Sequence, residues 1–128
     1  MKNAISALIL STTLLLAAGP AMADIAALNA ACGGVPAAPS TTKGDTADEV
    51  AMRAYGAGMR DYTARLMSYL TCLDNHPASA ADMASASYRR DVINHRQQVA
   101  DQLERTVTRF NAELREFKTR QAQVAAVP

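Results

Sequence analysis

The feature that most constrains this chain is a row of large apolar residues that recurs at alternating steps of three and four positions. We call this row the seam, and its members are Met52, Tyr55, Met59, Tyr62, Leu66, Tyr69 and Leu73. This spacing places all the seam side chains on one stripe of an α-helix, as in helices that pack lengthwise against a second element. The pattern Thr46-Ala47-Asp48-Glu49 matches a capping box at the helix start, and Pro77 disfavours helix at His76. The first helix is therefore predicted over 46–75.

A second periodic run predicts a second helix, over about 80–122. Its apolar members are Val92, Val99, Leu103, Val107, Phe110, Leu114 and Phe117. The start of this helix is open. Ser79-Ala80-Ala81-Asp82 is a weaker cap for a long helix, whereas a loop over 76–87 gives a shorter helix from near Ser87. Alanine favours the long helix, which would leave Phe110, Leu114 and Phe117 at or past the end of the first.

Together the two runs predict an all-α fold, with an antiparallel two-helix hairpin over 46–122. No stretch of the sequence alternates between polar and apolar residues as a half-buried strand does. Two long amphipathic helices joined by a modest loop favour antiparallel packing. Residues 24–45 are predicted to be an extended, proline-bearing segment, and residues 123–128 a flexible tail.

The first 23 residues have the three parts of a cleavable export signal. Lys2 precedes an apolar run over 4–18, and Ala21-Met22-Ala23 fits signal peptidase cleavage after Ala23. The run is shorter than the roughly 20 residues that a membrane span needs, so we expect no membrane span after cleavage. The single lysine and the compact apolar run are typical of bacterial signals. The mature chain is therefore predicted to be periplasmic or secreted.

The mature chain contains two cysteines, Cys32 and Cys72. In an oxidising compartment an even pair is most simply one disulfide. The alternative is a metal-binding or redox-active thiol pair, but the sequence contains no Cys-x-x-Cys motif. We therefore predict one disulfide that joins the extended segment to the far end of the first helix.

The stretch between Cys32 and Thr46, residues 33–45, contains several glycines and prolines, and we call it the tether. If Cys32 bonds Cys72, the tether must return along the first helix, a distance of roughly 39 Å at about 1.5 Å per residue. Polyproline-like extension at about 3.1 Å per residue covers about 43 Å, so the tether fits with little slack. The alternative is a disordered tether.

The tight fit predicts that the tether packs on the first helix, as proline-rich ligands pack on aromatic grooves. We expect Pro36 near Tyr62 or Leu66, and Pro39 near Met59. The predicted docking surface is formed by the seam tyrosines Tyr55, Tyr62 and Tyr69.

The charge balance argues against binding to nucleic acid. Lys2 leaves with the signal, so the mature chain carries twelve basic and twelve acidic side chains, whereas nucleic-acid binding relies on excess positive charge. Residues 88–120 carry eight basic and five acidic side chains. This mixture is typical of a solvated helix face, and a basic docking stripe is the alternative.

The sequence offers few groups for catalysis or metal binding. Its histidines, His76 and His95, are predicted to lie one at the loop and one along the second helix, whereas metal sites need three or four converging ligands. There is no glycine-rich phosphate loop and no Gly-x-Ser-x-Gly motif. We therefore expect no catalytic residues, no metal, no cofactor and no enzyme activity.

These patterns favour a non-catalytic protein–protein interaction or structural module of the bacterial envelope. A protein partner or self-association is expected. The predicted interaction surface comprises Phe110, Leu114, Arg115 and Phe117. One alternative is a chaperone-like or envelope-stress module that binds unfolded clients, and a weaker one is a metal-binding module that uses the histidines.

Two short motifs resemble those of a group of small exported proteobacterial helical proteins. They are Tyr69-Leu70-x-Cys72-Leu73 and Phe110-Asn111-x-x-Leu114-Arg115-x-Phe117-Lys118, which follow an exported start with a cysteine and prolines. The resemblance covers residues 32–118. It implies a helical fold and export, and it implies no activity.

Overall fold

The computed structural model describes residues 24–76 and 80–127, and the side-chain surroundings of residues 80 and 81 are left aside. Four helices occur in these ranges, namely α1 (Ile25–Ala31), α2 (Glu49–Asn75), α3 (Ala80–Ala84) and α4 (Ala86–Ala125). The two ranges contain no strand, so the described chain is all-α, as predicted. The predicted export signal, the Ser79 cap and the last residue of the predicted tail lie outside the described residues.

Helix α1 corrects the prediction that residues 24–45 are extended throughout. Asp24 caps its start by accepting a hydrogen bond from the Ala27 amide at 2.7 Å. Its end is set by Gly33 and Gly34, which have φ values of 82° and 80°. Glycine adopts this left-handed conformation without steric cost, and the Gly34 amide donates to the Asn29 carbonyl at 2.8 Å. Regular helix is absent from the rest of the predicted segment.

Helix α2 begins three residues later than the capping-box pattern predicts. Asp48 is the N-cap, and its carboxylate accepts from the Ala51 amide at 2.7 Å. Thr46 lies in a turn instead, where its amide donates to the Lys43 carbonyl. Either hydroxyl or carboxylate can cap a helix, and here the aspartate does so. The predicted end at Asn75 is confirmed, and His76 is extended, as expected for a residue before proline.

The second predicted helix is divided into α3 and α4. Helix α4 begins at Ala86, one residue before the alternative start near Ser87, while α3 occupies part of the stretch that this alternative predicted as loop. Ser85 has extended backbone angles, with φ −76° and ψ 114°, and its side chain accepts from the Tyr88 amide. A serine cap therefore prevails over the helix propensity of the surrounding alanines. Helix α4 extends to Ala125, which places part of the predicted tail in regular helix.

The predicted disulfide between Cys32 and Cys72 is confirmed, with Cα atoms 5.7 Å apart. It joins the end of α1 to the last turn of α2. All seven seam residues are buried, and Tyr62 and Leu66 have no exposed surface. Leu28, Val99 and Phe117 belong to the same apolar core. The core therefore receives side chains from α1, α2 and α4.

Side chains late in α2 contact side chains early in α4, and those early in α2 contact ones late in α4. The Tyr55 and Phe110 rings meet edge to face with centroids 5.1 Å apart, whereas Tyr69 contacts His95 near the disulfide. Within the described residues, none of the helices combines the length and the apolarity that a membrane crossing requires.

Candidate functional site

The seam tyrosines contact α4 or α1, and the hydroxyl groups of Tyr62 and Tyr69 have polar partners there. Tyr62 has no exposed surface, and its hydroxyl accepts a long hydrogen bond of 3.4 Å from Gln102. Tyr55 packs its ring on Phe110. Buried tyrosines usually satisfy their hydroxyl in this way. Hydrogen bonds of this kind allow an otherwise apolar stripe to carry the hydroxyls of Tyr62 and Tyr69.

Tyr69 forms the centre of a polar cluster close to the disulfide. Its hydroxyl donates to Asn29 Oδ1 at 2.8 Å and lies 2.6 Å from His95 Nε2. A hydroxyl has one hydrogen, so the bond to Asn29 requires Nε2 of His95 to donate to the Tyr69 oxygen. Burial raises the pKa of Tyr69 above its usual value. The cluster therefore links α1, α2 and α4 beside the covalent bond.

The tether lies along α2 and contacts this helix at small residues such as Gly58. The Cβ of Pro39 would be 3.4 Å from a Cβ at Gly58, the residue before Met59. Pro36 lines a shallow cavity together with Tyr69 and residues 64, 65 and 68 of α2. The prolines thus lie beside the helix that carries the seam, while the rings of Tyr55 and Tyr69 contact α4.

At its far end the tether meets α4 at a point where two backbones nearly touch. Gly44 is buried, and a Cβ there would lie 1.9 Å from the carbonyl oxygen of Glu113. Only glycine leaves room for this approach. The Gly44 amide donates to Glu113 Oε2 at 2.9 Å, and Lys43 Nζ lies 3.2 Å from Oε1. These hydrogen bonds, led by the one from Gly44, lower the pKa of Glu113 below its usual value.

Two further contacts belong to this region, which we call the closed end: Lys43, Gly44 and Ala47 against Glu113, Phe117 and Arg120. The guanidinium of Arg120 donates to the Ala47 carbonyl. It also lies over the Phe117 ring, 5.5 Å from the centroid, as in a cation–π contact. Ala47 is 8% exposed and Glu113 7%. These contacts hold the tether and Ala47 against the late part of α4.

The predicted interaction surface late in α4 is largely covered in this fold. Phe117 is buried, and Phe110 and Leu114 are partly buried against the core. Helix α4 has 40 residues against 27 in α2, but Phe110 lies beside Tyr55 of α2, and contacts with residues before α2 continue as far as Arg120. Of the predicted interaction residues, only Arg115 is exposed.

The opposite end of the molecule carries an apolar cleft of about 340 Å³ that the sequence patterns did not predict. Its apolar lining comes from all four helices and comprises Leu28, Leu73, Met83, Tyr88, Val92 and Ile93. We call this region the cleft. Leu28 and Leu73 are buried, whereas Met83 is 55% and Ile93 65% exposed. Ile93 follows Val92 and lies outside the periodic run of α4. An apolar residue outside the buried stripe is the sequence signal that indicates an exposed apolar position here.

Charged side chains line one side of the cleft. Arg96 binds Asp74 with two parallel hydrogen bonds, Nε to Oδ1 at 2.8 Å and Nη2 to Oδ2 at 3.1 Å. The hydrogen bond from Arg96 lowers the pKa of Asp74. Arg89 is exposed and donates from Nη1 to the Met83 carbonyl. The cleft therefore combines apolar surface with one guanidinium that has no carboxylate partner among the described residues.

Among the residues that the structure describes, neither histidine takes part in a cluster of metal-binding groups. Within residues 24–76 and 80–127, no three His, Cys, Asp or Glu side chains are grouped so as to hold a metal ion. His95 contacts Tyr69, and His76 lines the cleft.

Comparisons with protein-family models, with characterised proteins and with solved structures gave no match. The two short motifs lie in different regions: the first ends α2 beside the disulfide, and the second spans the closed end of α4. Function is therefore inferred from the geometry of this chain.

Proposed function

We propose that the mature chain is an antiparallel helical hairpin that acts as a non-catalytic protein–protein interaction module of the bacterial envelope. The order of side-chain contacts between α2 and α4 supports the antiparallel arrangement. The short connection through α3 agrees with it.

Export to an oxidising compartment is part of the proposal. The sequence of residues 1–23 has the parts of a cleavable signal. The Cys32–Cys72 bond supports the same compartment, because structural disulfides persist in the periplasm or outside the cell and are rare in reducing cytosol.

The cleft is the observation that carries the proposed interaction. Most large apolar side chains of the described chain are buried or packed against the core. Met83 and Ile93 are exceptions, since both are more than half exposed and both line a depression with a buried apolar base. Clustered exposed apolar residues with charged neighbours are typical of protein interaction surfaces. The occupant we propose is a segment of another protein.

The test uses a photo-crosslinking amino acid at position 83 and a matched control at position 67. Met83 and Met67 are the same residue type and are 55% and 52% exposed, but only Met83 lines the cleft. In the native envelope we expect a defined protein adduct from position 83 and none from position 67. Equal adducts from both positions, or none from position 83, would overturn the proposal.

A second experiment on the purified chain distinguishes an interaction module from a chaperone-like module that holds unfolded clients. Client binding requires broad exposed apolar surface, whereas Phe110, Leu114 and Phe117 pack against the chain's own core. We therefore expect the purified chain not to suppress aggregation of a denatured client enzyme at equimolar ratio. Suppression that disappears in Met83→Glu would instead assign holding activity to the cleft.

A further inference from the structure

We propose that the cleft binds an amphipathic segment of a partner protein whose apolar side chains are flanked by a carboxylate, and that Arg89 pairs with this carboxylate. This inference rests on the proposed function and names the chemistry of the partner. It concerns charge as well as shape, because an apolar cleft alone does not distinguish one apolar segment from another.

The size and shape of the cleft suit a few side chains on one face of a helix. At about 340 Å³ it lies near the lower limit of small-molecule sites, and its base is formed by Leu28, Leu73 and Val92. A helix that binds in a groove presents apolar residues at spacings of three and four along one face. Met83 and Ile93 stand exposed and can pack beside such residues.

The charges around the cleft favour an acidic partner. Asp74 is the carboxylate in the lining, and both of its oxygens already accept hydrogen bonds from Arg96. Among the described residues, Arg89 donates one hydrogen bond, from Nη1 to the Met83 carbonyl, which positions its guanidinium beside the exposed methionine. An arginine carries five N–H donors, so most of its donors remain for an added acceptor. A carboxylate matches this group in charge and in geometry.

The experiment measures how the adduct from position 83 depends on charge at position 89. We compare the full oxidised chain with Arg89→Glu, with Arg89→Lys and with Arg90→Glu, each carrying the crosslinker at 83. Arg90 is an exposed neighbour that does not line the cleft, so its reversal is a matched control. Far-ultraviolet circular dichroism confirms that each variant remains helical.

We expect Arg89→Glu to lower the adduct yield about fivefold or more, because it replaces attraction by repulsion. Arg89→Lys keeps the charge and should retain most of the yield, and Arg90→Glu should leave the yield unchanged. The crosslinked partner peptide, identified by mass spectrometry, should carry Asp or Glu beside apolar residues. Replacing that carboxylate by Lys should restore binding to Arg89→Glu.

The failure of this inference is distinct from failure of the proposed function. No adduct from position 83 in any variant overturns the function itself. An adduct that responds equally to Arg89→Glu and Arg90→Glu, or a peptide without a carboxylate, overturns the charge pairing alone. An adduct with a second copy of this chain, or with lipid, overturns the choice of a partner protein.

Discussion

The long helices α2 and α4 are covered to different extents at the two ends of the molecule. At the closed end the tether contacts α4 through backbone and side chains, and Ala47 and Glu113 are nearly inaccessible. At the other end α1 covers only part of the apolar surface, and Met83 and Ile93 stay exposed. The two ends therefore differ in how far large apolar side chains are buried, since Phe117 is 7% exposed whereas Met83 and Ile93 are more than half exposed.

The largest expected effect is the loss of the disulfide beside the cleft. Replacing both cysteines, as in Cys32→Ser with Cys72→Ser, should lower the free energy of unfolding by about 4 kcal/mol, because the bond closes a loop of 40 residues. Urea unfolding measures this change. Reductant should produce a similar loss in the wild type and no further loss in the double variant. A wild type insensitive to reductant under unfolding conditions would contradict the prediction.

A methyl group at the closed end should be the next most damaging change. Gly44→Ala places a Cβ 1.9 Å from the Glu113 carbonyl oxygen, so backbone must move. We expect a loss of about 3 kcal/mol, in the range of overpacked sites.

The matched control for Gly44→Ala is Gly56→Ala in α2. A Cβ at Gly56 meets its nearest atoms at 3.8 Å, which is ordinary contact. Alanine is the better helix former, so this variant should be more stable by about 0.5–1 kcal/mol. Equal destabilisation of the two variants in urea unfolding would show that the close approach at Gly44 is not the cause.

Each end carries a carboxylate whose pKa is lowered, and these two carboxylates should differ in their response to salt. The hydrogen bond from the Gly44 amide is the main cause that lowers the pKa of Glu113, and the hydrogen bond from the exposed Arg96 is the main cause that lowers the pKa of Asp74. A carboxyl group whose pKa is lower in the folded state than in the unfolded state stabilises the fold at any pH above its unfolded pKa. This stabilisation is lost as the pH falls through the folded pKa. Stability should therefore fall with acid below about pH 4.5 for Glu113 and below about pH 3.8 for Asp74.

The variants Glu113→Gln and Asp74→Asn separate these contributions when chemical unfolding is followed from pH 6 to pH 2. Each should flatten the acid side of the stability profile. In 1 M salt the effect of Asp74→Asn should largely disappear, since exposed ion pairs are screened. The effect of Glu113→Gln should persist, because a buried amide hydrogen bond carries it. Identical salt responses would refute this distinction.

The smallest expected effect is at the cleft itself. Met83→Gln should change the free energy of unfolding by less than about 0.5 kcal/mol, since the side chain is largely exposed. The same variant should lower the yield of a crosslink placed at Ile93. A large loss of stability would mean that Met83 serves the fold rather than a partner.

Local patterns predicted much of this architecture. The periodicity of the seam predicted α2 and its buried face. The presence of two cysteines in a chain with an export signal predicted the disulfide. Helix α1 was missed although signals existed, namely Asp24 as a cap and Gly33-Gly34 as an end. The break at Ser85 was missed because alanine propensity and a serine cap compete, and local sequence does not decide between them.

The closed end and the cleft were harder to predict, because both depend on contacts between residues far apart in the sequence. The approach of Gly44 to Glu113 joins positions 69 apart, and no spacing rule connects them. The cleft depends on how far α1 covers α2 and α4. The burial of Phe117 depends on residues before α2, since α4 is longer than α2 and Arg120 contacts Ala47.

The close approach at Gly44 also limits how this gene can diverge. Cys32 is fixed by its covalent bond and Gly44 by its fit against α4, so the chain between them spans two immovable points. A codon inserted or deleted in that interval changes the length of chain that must span these two points. Homologous genes should therefore conserve the length of this interval more strictly than the identity of its amino acids.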